Sequence, residues 1–154
     1  MAFLYVDSSG LVKRYVSEVG TAWVRGLFDP ALNNEVFIAA VTPVEIVAAI
    51  TRRARSGTIS PADAATASAL FRSHLAGAYQ RVHLTDALLA RAMAVAETHG
   101  LRAYDAVQLT AAIEVNGQAI AAGLAPITLV SGDASLNAAA TVEGLIVEDP
   151  NAHP

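Results

Sequence analysis

Four acidic residues occupy places where a carboxylate is unexpected: Asp7, Glu45, Asp105 and Asp133. Asp7 directly follows Phe3-Leu4-Tyr5-Val6, and Glu45 is the only charge between Val36 and Ile50. Asp105 sits within Tyr104-Asp105-Ala106-Val107, and Asp133 comes straight after Ile127-Thr128-Leu129-Val130-Ser131-Gly132. Carboxylates gathered in such surroundings repel one another unless a cation joins them. Mg²⁺ and Mn²⁺ are suited to the task, because both prefer oxygen ligands and combine carboxylates with water and substrate phosphates. A site of this kind could hydrolyse a phosphodiester by activating water and neutralising the phosphoryl oxygens, without a covalent nucleophile.

The elements that must position these acids follow from pattern. Residues 3–6, 35–41, 127–130 and 145–147 read as strands, the first without alternation, as in a strand buried on both faces. Residues 81–84 read as a short extended segment. Helical stretches are expected at 11–16, 21–27, 42–55, 61–77, 86–99 and 103–115, with a short helix after Asp133. Thr42-Pro43-Val44-Glu45 is a strong helix start, with Thr42 as cap and Glu45 at the capping-box position. Asn116-Gly117 is expected to end the helix that begins at Ala103. Strands separated by helices imply an α/β fold, a central mainly parallel sheet flanked by helices on both faces. One domain over 1–150 and an irregular tail at 151–154 are expected.

Each acid also has a plainer reading. Asp7 and Asp133 suit helix N-caps, Glu45 could complete a capping box, and Asp105 could complement a helix dipole. Those readings together would set every cap at one edge of the sheet, which in an open parallel sheet is where ligands bind.

The stretches Tyr5-Val6-Asp7-Ser8-Ser9-Gly10-Leu11-Val12-Lys13, Thr42-Pro43-Val44-Glu45, Tyr104-Asp105-Ala106-Val107-Gln108-Leu109 and Leu129-Val130-Ser131-Gly132-Asp133-Ala134-Ser135-Leu136 resemble the motifs of PIN-domain nucleases. The similarity is greatest to the VapC toxins of bacterial VapBC toxin–antitoxin pairs, and runs from about Phe3 to Pro150. It implies a PIN-like fold and a divalent-metal endoribonuclease acting on RNA with Mg²⁺ or Mn²⁺. It also implies a cognate VapB-like antitoxin and a homodimer, for which the helices carrying Trp23, Phe28 and Phe71 are candidate contact elements. Asp7, Glu45, Asp105 and Asp133 would form the acidic catalytic and metal site, with Ser9 and Ser131 matching hydroxyl positions beside it.

Composition narrows the alternatives. An apolar fraction of 54% and a charged fraction of 16% exclude disorder. The absence of cysteine rules out disulfides and thiolate chemistry. No stretch is long enough for a membrane span, so a soluble, cytoplasmic protein is expected. A net charge of −4 is unusual for a nucleic-acid enzyme. The bases cluster at Lys13-Arg14 and Arg52-Arg53, which are candidate RNA-phosphate contacts or solvated helix faces. The four histidines lack metal-ligand spacing, and no serine sits in a nucleophile elbow. A phosphatase using Asp7 as nucleophile would want a second aspartate where Ser9 stands. A PIN nuclease of RNA processing without an antitoxin, and a catalytically silent PIN-like binding module, remain as rivals.

Overall fold

The computed structural model describes residues 1–154 and contains one five-stranded sheet. Its strands are β1 (Phe3–Val6), β2 (Glu35–Ala39), β3 (Gln80–Val82), β4 (Thr128–Val130) and β5 (Ile146–Glu148). They lie in the order β3-β2-β1-β4-β5, and every neighbouring pair is parallel. The expected α/β architecture is therefore present. Successive strands step outward from β1 on one side and then resume on its other side at β4. The chain thus reverses its course beside β1, at the point where open sheets form a crevice.

Helices α1 (Ser8–Leu11), α2 (Thr21–Gly26), α3 (Thr42–Arg55), α4 (Pro61–Leu75), α5 (Asp86–His99), α6 (Ala103–Ala121) and α7 (Ala134–Val142) connect the strands. Leu4 and Val6 of β1 enter a core with Leu11, Ile46, Ile50 and Phe71, while Tyr5 enters a second core with Leu88, Leu109 and Leu136. The apolar run with no polar partner face thus matches a strand covered on both sides. No helix is long and apolar enough to cross a membrane.

Three expectations need correction. Helix α6 runs through Asn116-Gly117 to Ala121. The Asn116 side chain accepts from the Ile127 backbone N–H at 3.0 Å, so it holds the following loop and does not end the helix. Left-handed Gly123 supplies the turn instead. Helix α3 is capped by Val41, not Thr42, and no side chain bonds its cap position. The tail is also more ordered than expected: Asp149 caps a 3-10 turn, Pro150–Ala152, and His153 stacks on Trp23 with ring centroids 4.2 Å apart.

Trp23, Phe28 and Phe71 are engaged internally. Phe71 is fully buried edge-on to Tyr15, and Phe28 lies against Tyr79. Of the three, only Phe71 is fully buried; Trp23 and Phe28 are half-buried, and α4 leaves Leu70 exposed.

Helix α1 packs closely against β4. A Cβ built at Gly10 would lie 2.7 Å from the Val130 carbonyl oxygen and 3.3 Å from Val6 Cγ1. Gly10→Ala should force the first helix away from the sheet and destabilise the protein by about 1–3 kcal/mol in urea denaturation. An unchanged midpoint would show that α1 is not held against β4 as described.

Candidate active site

Asp7, Glu45, Asp105 and Asp133 all line one open cleft of about 710 Å³, together with Ser8, Ser9, Arg52, Arg53, Arg102 and Tyr104. Parallel pairing explains the convergence. Asp7 follows β1, Glu45 lies in the helix after β2, and Asp133 follows β4, so all three sit at the carboxyl ends of adjacent strands. Asp105 reaches the same cleft from the first turn of α6.

The capping reading and the site reading turn out to be compatible. Asp7 Oδ1 accepts from the Gly10 N–H at 2.9 Å, and Asp133 Oδ1 from the Leu136 N–H at 2.9 Å. Each carboxylate is thereby oriented by the positive end of a helix through its Oδ1 atom. Asp133 Oδ2 faces the Arg102 guanidinium at 3.4 Å. Glu45 forms no capping box. Its Oε2 accepts from Gln108 Nε2 at 2.6 Å, while Thr42 Oγ1 accepts from the same nitrogen at 2.9 Å.

Gln108 is the residue that the sequence reading overlooked. It is fully buried, and its Oε1 accepts from the Tyr5 hydroxyl at 2.8 Å, so every polar atom of the amide has a partner. The network ties β1, α3 and α6 together through one side chain and fixes Glu45. A polar residue one helical turn after Asp105, inside an apolar run, was the available signal. Arg102 and the exposed ring of Tyr104, on either side of Ala103, were also passed over.

Ser9 and Ser131 tie the two central loops together. Ser9 Oγ donates to Asp7 and accepts from the Gly132 N–H at 2.8 Å, while Ser131 Oγ accepts from the Asp133 N–H at 3.1 Å. The basic candidates divide. Lys13 is buried, with Nζ donating to the Val19 carbonyl and Asn151 Oδ1 and paired with Glu18. Arg14 stacks on Phe28 at 3.8 Å and donates to the Tyr79 hydroxyl. Neither is free for phosphate, because satisfying a partly buried cation took precedence. Arg52 and Arg53 do line the cleft, although Arg53 is paired with Glu18 at 2.9 Å.

The electrostatics reflect crowding. Burial pushes the Asp7 carboxyl up from its ordinary 3.8 to about 6; bonds from Gly10 and Ser9 oppose this, and the charge of Glu45 adds to it. Glu45 is also raised, first by burial and then by Asp105, against the bonds from Gln108 and Ser8.

A family model, PIN domain, matches residues 4–141. The chain belongs to the PIN-domain family. The family consists of nucleases that generally use a divalent metal. Among solved structures, PAE2754 from Pyrobaculum aerophilum superposes with a TM-score of 0.62 at 23% identity, covering 95% of this chain and 89% of the other. VapC20 of Mycobacterium tuberculosis, described as a sarcin–ricin loop cleaving toxin, gives 0.62 at 15% identity, covering 98% and 99%. VapBC2 from Rickettsia felis, solved on a DNA fragment from its promoter, gives 0.60 at 14% identity, covering 96% and 98%. At these identities the likeness establishes the PIN fold. No curated protein matches the sequence significantly.

The PIN cleft fits a hard divalent cation in its donor chemistry: carboxylate oxygens from four separate elements, two of them raised in pKa by burial and mutual charge. No three of its His, Asp or Glu side chains stand close enough as they are to enclose an ion, and Arg102 lies between Asp105 and Asp133.

A raised carboxyl pKa has a definite stability sign. Between about 4 and 6 the folded protein holds a proton on Asp7 that the unfolded chain has lost, so stability falls as pH rises through that window. Above it, the buried charge costs on the order of 1–3 kcal/mol. Asp7→Asn keeps an oxygen for Gly10 and Ser9, and should raise stability by that order at pH 7.5. The gain should vanish below pH 4. Denaturant titrations at both pH values check this, and equal stabilities at pH 7.5 would contradict it.

Proposed function

We propose that this PIN protein is a divalent-metal-dependent endoribonuclease, the toxin of a toxin–antitoxin pair. The supporting observation is the convergence of Asp7, Glu45, Asp105 and Asp133 on one cleft at the carboxyl edge of a PIN sheet. Those four carboxylates would hold Mg²⁺ or Mn²⁺, which when bound supplies charge neutralisation and an activated water at the phosphodiester. Gln108 and Ser8 orient Glu45, and Ser9 and Ser131 hold the loops that carry Asp7 and Asp133. Both serine hydroxyls are committed to backbone amides, which suits positioning better than nucleophilic attack. Arg52 and Arg53 lie where an RNA backbone would pass, and the exposed Tyr104 ring offers a face for an unstacked base.

The partner side of the proposal rests on the neighbours. A toxin–antitoxin complex from Klebsiella pneumoniae has a TM-score of 0.60 with this chain at 15% identity. A small antitoxin encoded nearby would block the cleft, its arginine pairing with the acids. A homodimer in the cytoplasm completes the proposal, and light scattering at micromolar concentration would reveal the dimer.

Purified protein should cleave RNA with Mg²⁺ or Mn²⁺ and stop in excess EDTA. Asp7→Asn and Asp105→Asn should each lower turnover by about a hundredfold or more, and Glu45→Gln should do so without lowering the melting temperature. Cleavage that persists in EDTA, with contaminating nucleases excluded, would end the metal reading.

Expressed alone in its host, the wild-type protein should arrest growth, and co-expression of the neighbouring gene should relieve it. Harmless expression of demonstrably active enzyme would favour a PIN nuclease of RNA processing that works without an antitoxin.

A further inference from the structure

Arg102 is placed against ordinary helix electrostatics. It occupies the N-cap of α6, where the helix dipole disfavours a cation, and it makes no side-chain cap bond. Its side chain is 82% exposed, so packing does not hold it. Its only polar side-chain partners are carboxylates of the cleft: Nε donates to Asp105 Oδ2 at 3.0 Å and Nη2 to Asp133 Oδ2 at 3.4 Å. Three of the four candidate phosphate bases are held elsewhere. Lys13 and Arg53 are paired with Glu18, and Arg14 is clasped by aromatic rings.

We infer that Arg102 is a displaceable counter-charge that becomes a substrate-positioning residue, exchanging Asp105 and Asp133 for the phosphate of the nucleic acid when a divalent ion takes those carboxylates. This rests on the nuclease reading and adds a residue that couples its two ligands. The steps follow from charge. Without an ion, the guanidinium offsets the repulsion between Asp105 and Asp133. A divalent cation held by Asp105 and Asp133 would remove that attraction and would add repulsion to the dipole already acting on Arg102. An exposed, long side chain with five donors then turns to the nearest anion, and a phosphodiester lying across the cleft accepts its fork. Arg102 therefore competes with metal when RNA is absent and assists RNA when metal is present. Linkage requires that metal strengthen RNA binding through this residue and that RNA strengthen metal binding equally.

The test compares wild type with Arg102→Ala and Arg102→Lys, both altered only at an exposed position. Mn²⁺ affinity is measured by calorimetry without RNA. Binding of a slowly hydrolysed phosphorothioate oligoribonucleotide is then measured by fluorescence anisotropy, with and without Mn²⁺. Arg102→Ala should bind Mn²⁺ roughly three- to tenfold more tightly than wild type, the size that two exposed ion pairs allow. It should bind the oligonucleotide about five- to tenfold more weakly in Mn²⁺, with little change in its absence. Arg102→Lys should fall between, since an ammonium lacks the fork. If wild type binds Mn²⁺ and RNA but the alanine variant binds Mn²⁺ no more tightly, or loses RNA affinity equally with and without metal, the inference fails alone. If wild type binds no Mn²⁺, it fails together with the nuclease reading.

Discussion

Repulsion among carboxylates gathered at one sheet edge is the constraint around which the rest of this structure is arranged. Parallel strands deliver their carboxyl ends side by side, so residues just after β1, β2 and β4 are close whatever their type. Acids there would oppose folding unless each were met by donors. The fold meets them with helix N-terminal amides at Asp7 and Asp133, a buried amide side chain at Glu45, and a guanidinium shared by Asp105 and Asp133. Asp7 is the most deeply buried of the four. Gly10 and Ser9 donate to it, and burial still raises its pKa to about 6. On the nuclease reading, a site built this way would retain affinity for a cation, because its own groups leave part of the charge unanswered.

Capping and ligand binding are commonly treated as competing explanations of an aspartate between strand and helix. Here the two are compatible. A carboxylate has two oxygens, and a bond from an amide to Oδ1 sets the direction of Oδ2 within narrow limits. The helix start therefore serves as the orienting support of the site, much as an outer hydrogen-bonding partner orients a metal ligand. Glu45 shows the converse case. A longer side chain inside α3 cannot be aimed by its own helix, and it is Gln108 on α6, itself anchored to Tyr5, that fixes it.

How much of this was legible in the sequence depended on whether a signal was local. The strands could be read because apolar runs such as Phe3–Val6 stop abruptly at a charge, and Asp7 stood out for the same reason, while Glu45 and Asp105 stood out as charges inside apolar stretches. The parallel sheet followed from alternation of strand and helix. The end of α6 was misplaced because Asn116-Gly117 is a strong local stop that a tertiary bond, from the Ile127 amide, overrides. Lys13 and Arg14 looked like a basic patch because sequence carries no information on burial by distant partners; Asn151 and Tyr79 lie far away in the chain. The same limitation hid the ordered C-terminal turn, whose Asn151 bonds both Lys13 and the Gly132 carbonyl and so reaches the loop before Asp133. Gln108 was the one miss with a usable clue, since a glutamine in a helix face otherwise built from alanine and leucine must find buried partners.

The acidic net charge, awkward for an RNA enzyme when taken as a sum, acquires a different meaning once the charges are placed. A sum of −4 counts four carboxylates that face one cleft and counts as positive two bases that are enclosed within the protein. The cleft's four carboxylates face three arginines, Arg52, Arg53 and Arg102, so its lining carries only a small formal excess of negative charge without an ion. On the nuclease reading, a divalent cation held by those acids would turn that small excess positive, and few surface cations would need to take part. Such a protein would depend on salt less steeply than a nuclease with a broad basic face, because fewer counterions are released from the nucleic acid on binding. It would also be selective for RNA that can bring a single phosphate deep into the cleft, which favours an unpaired, flexible segment over a duplex.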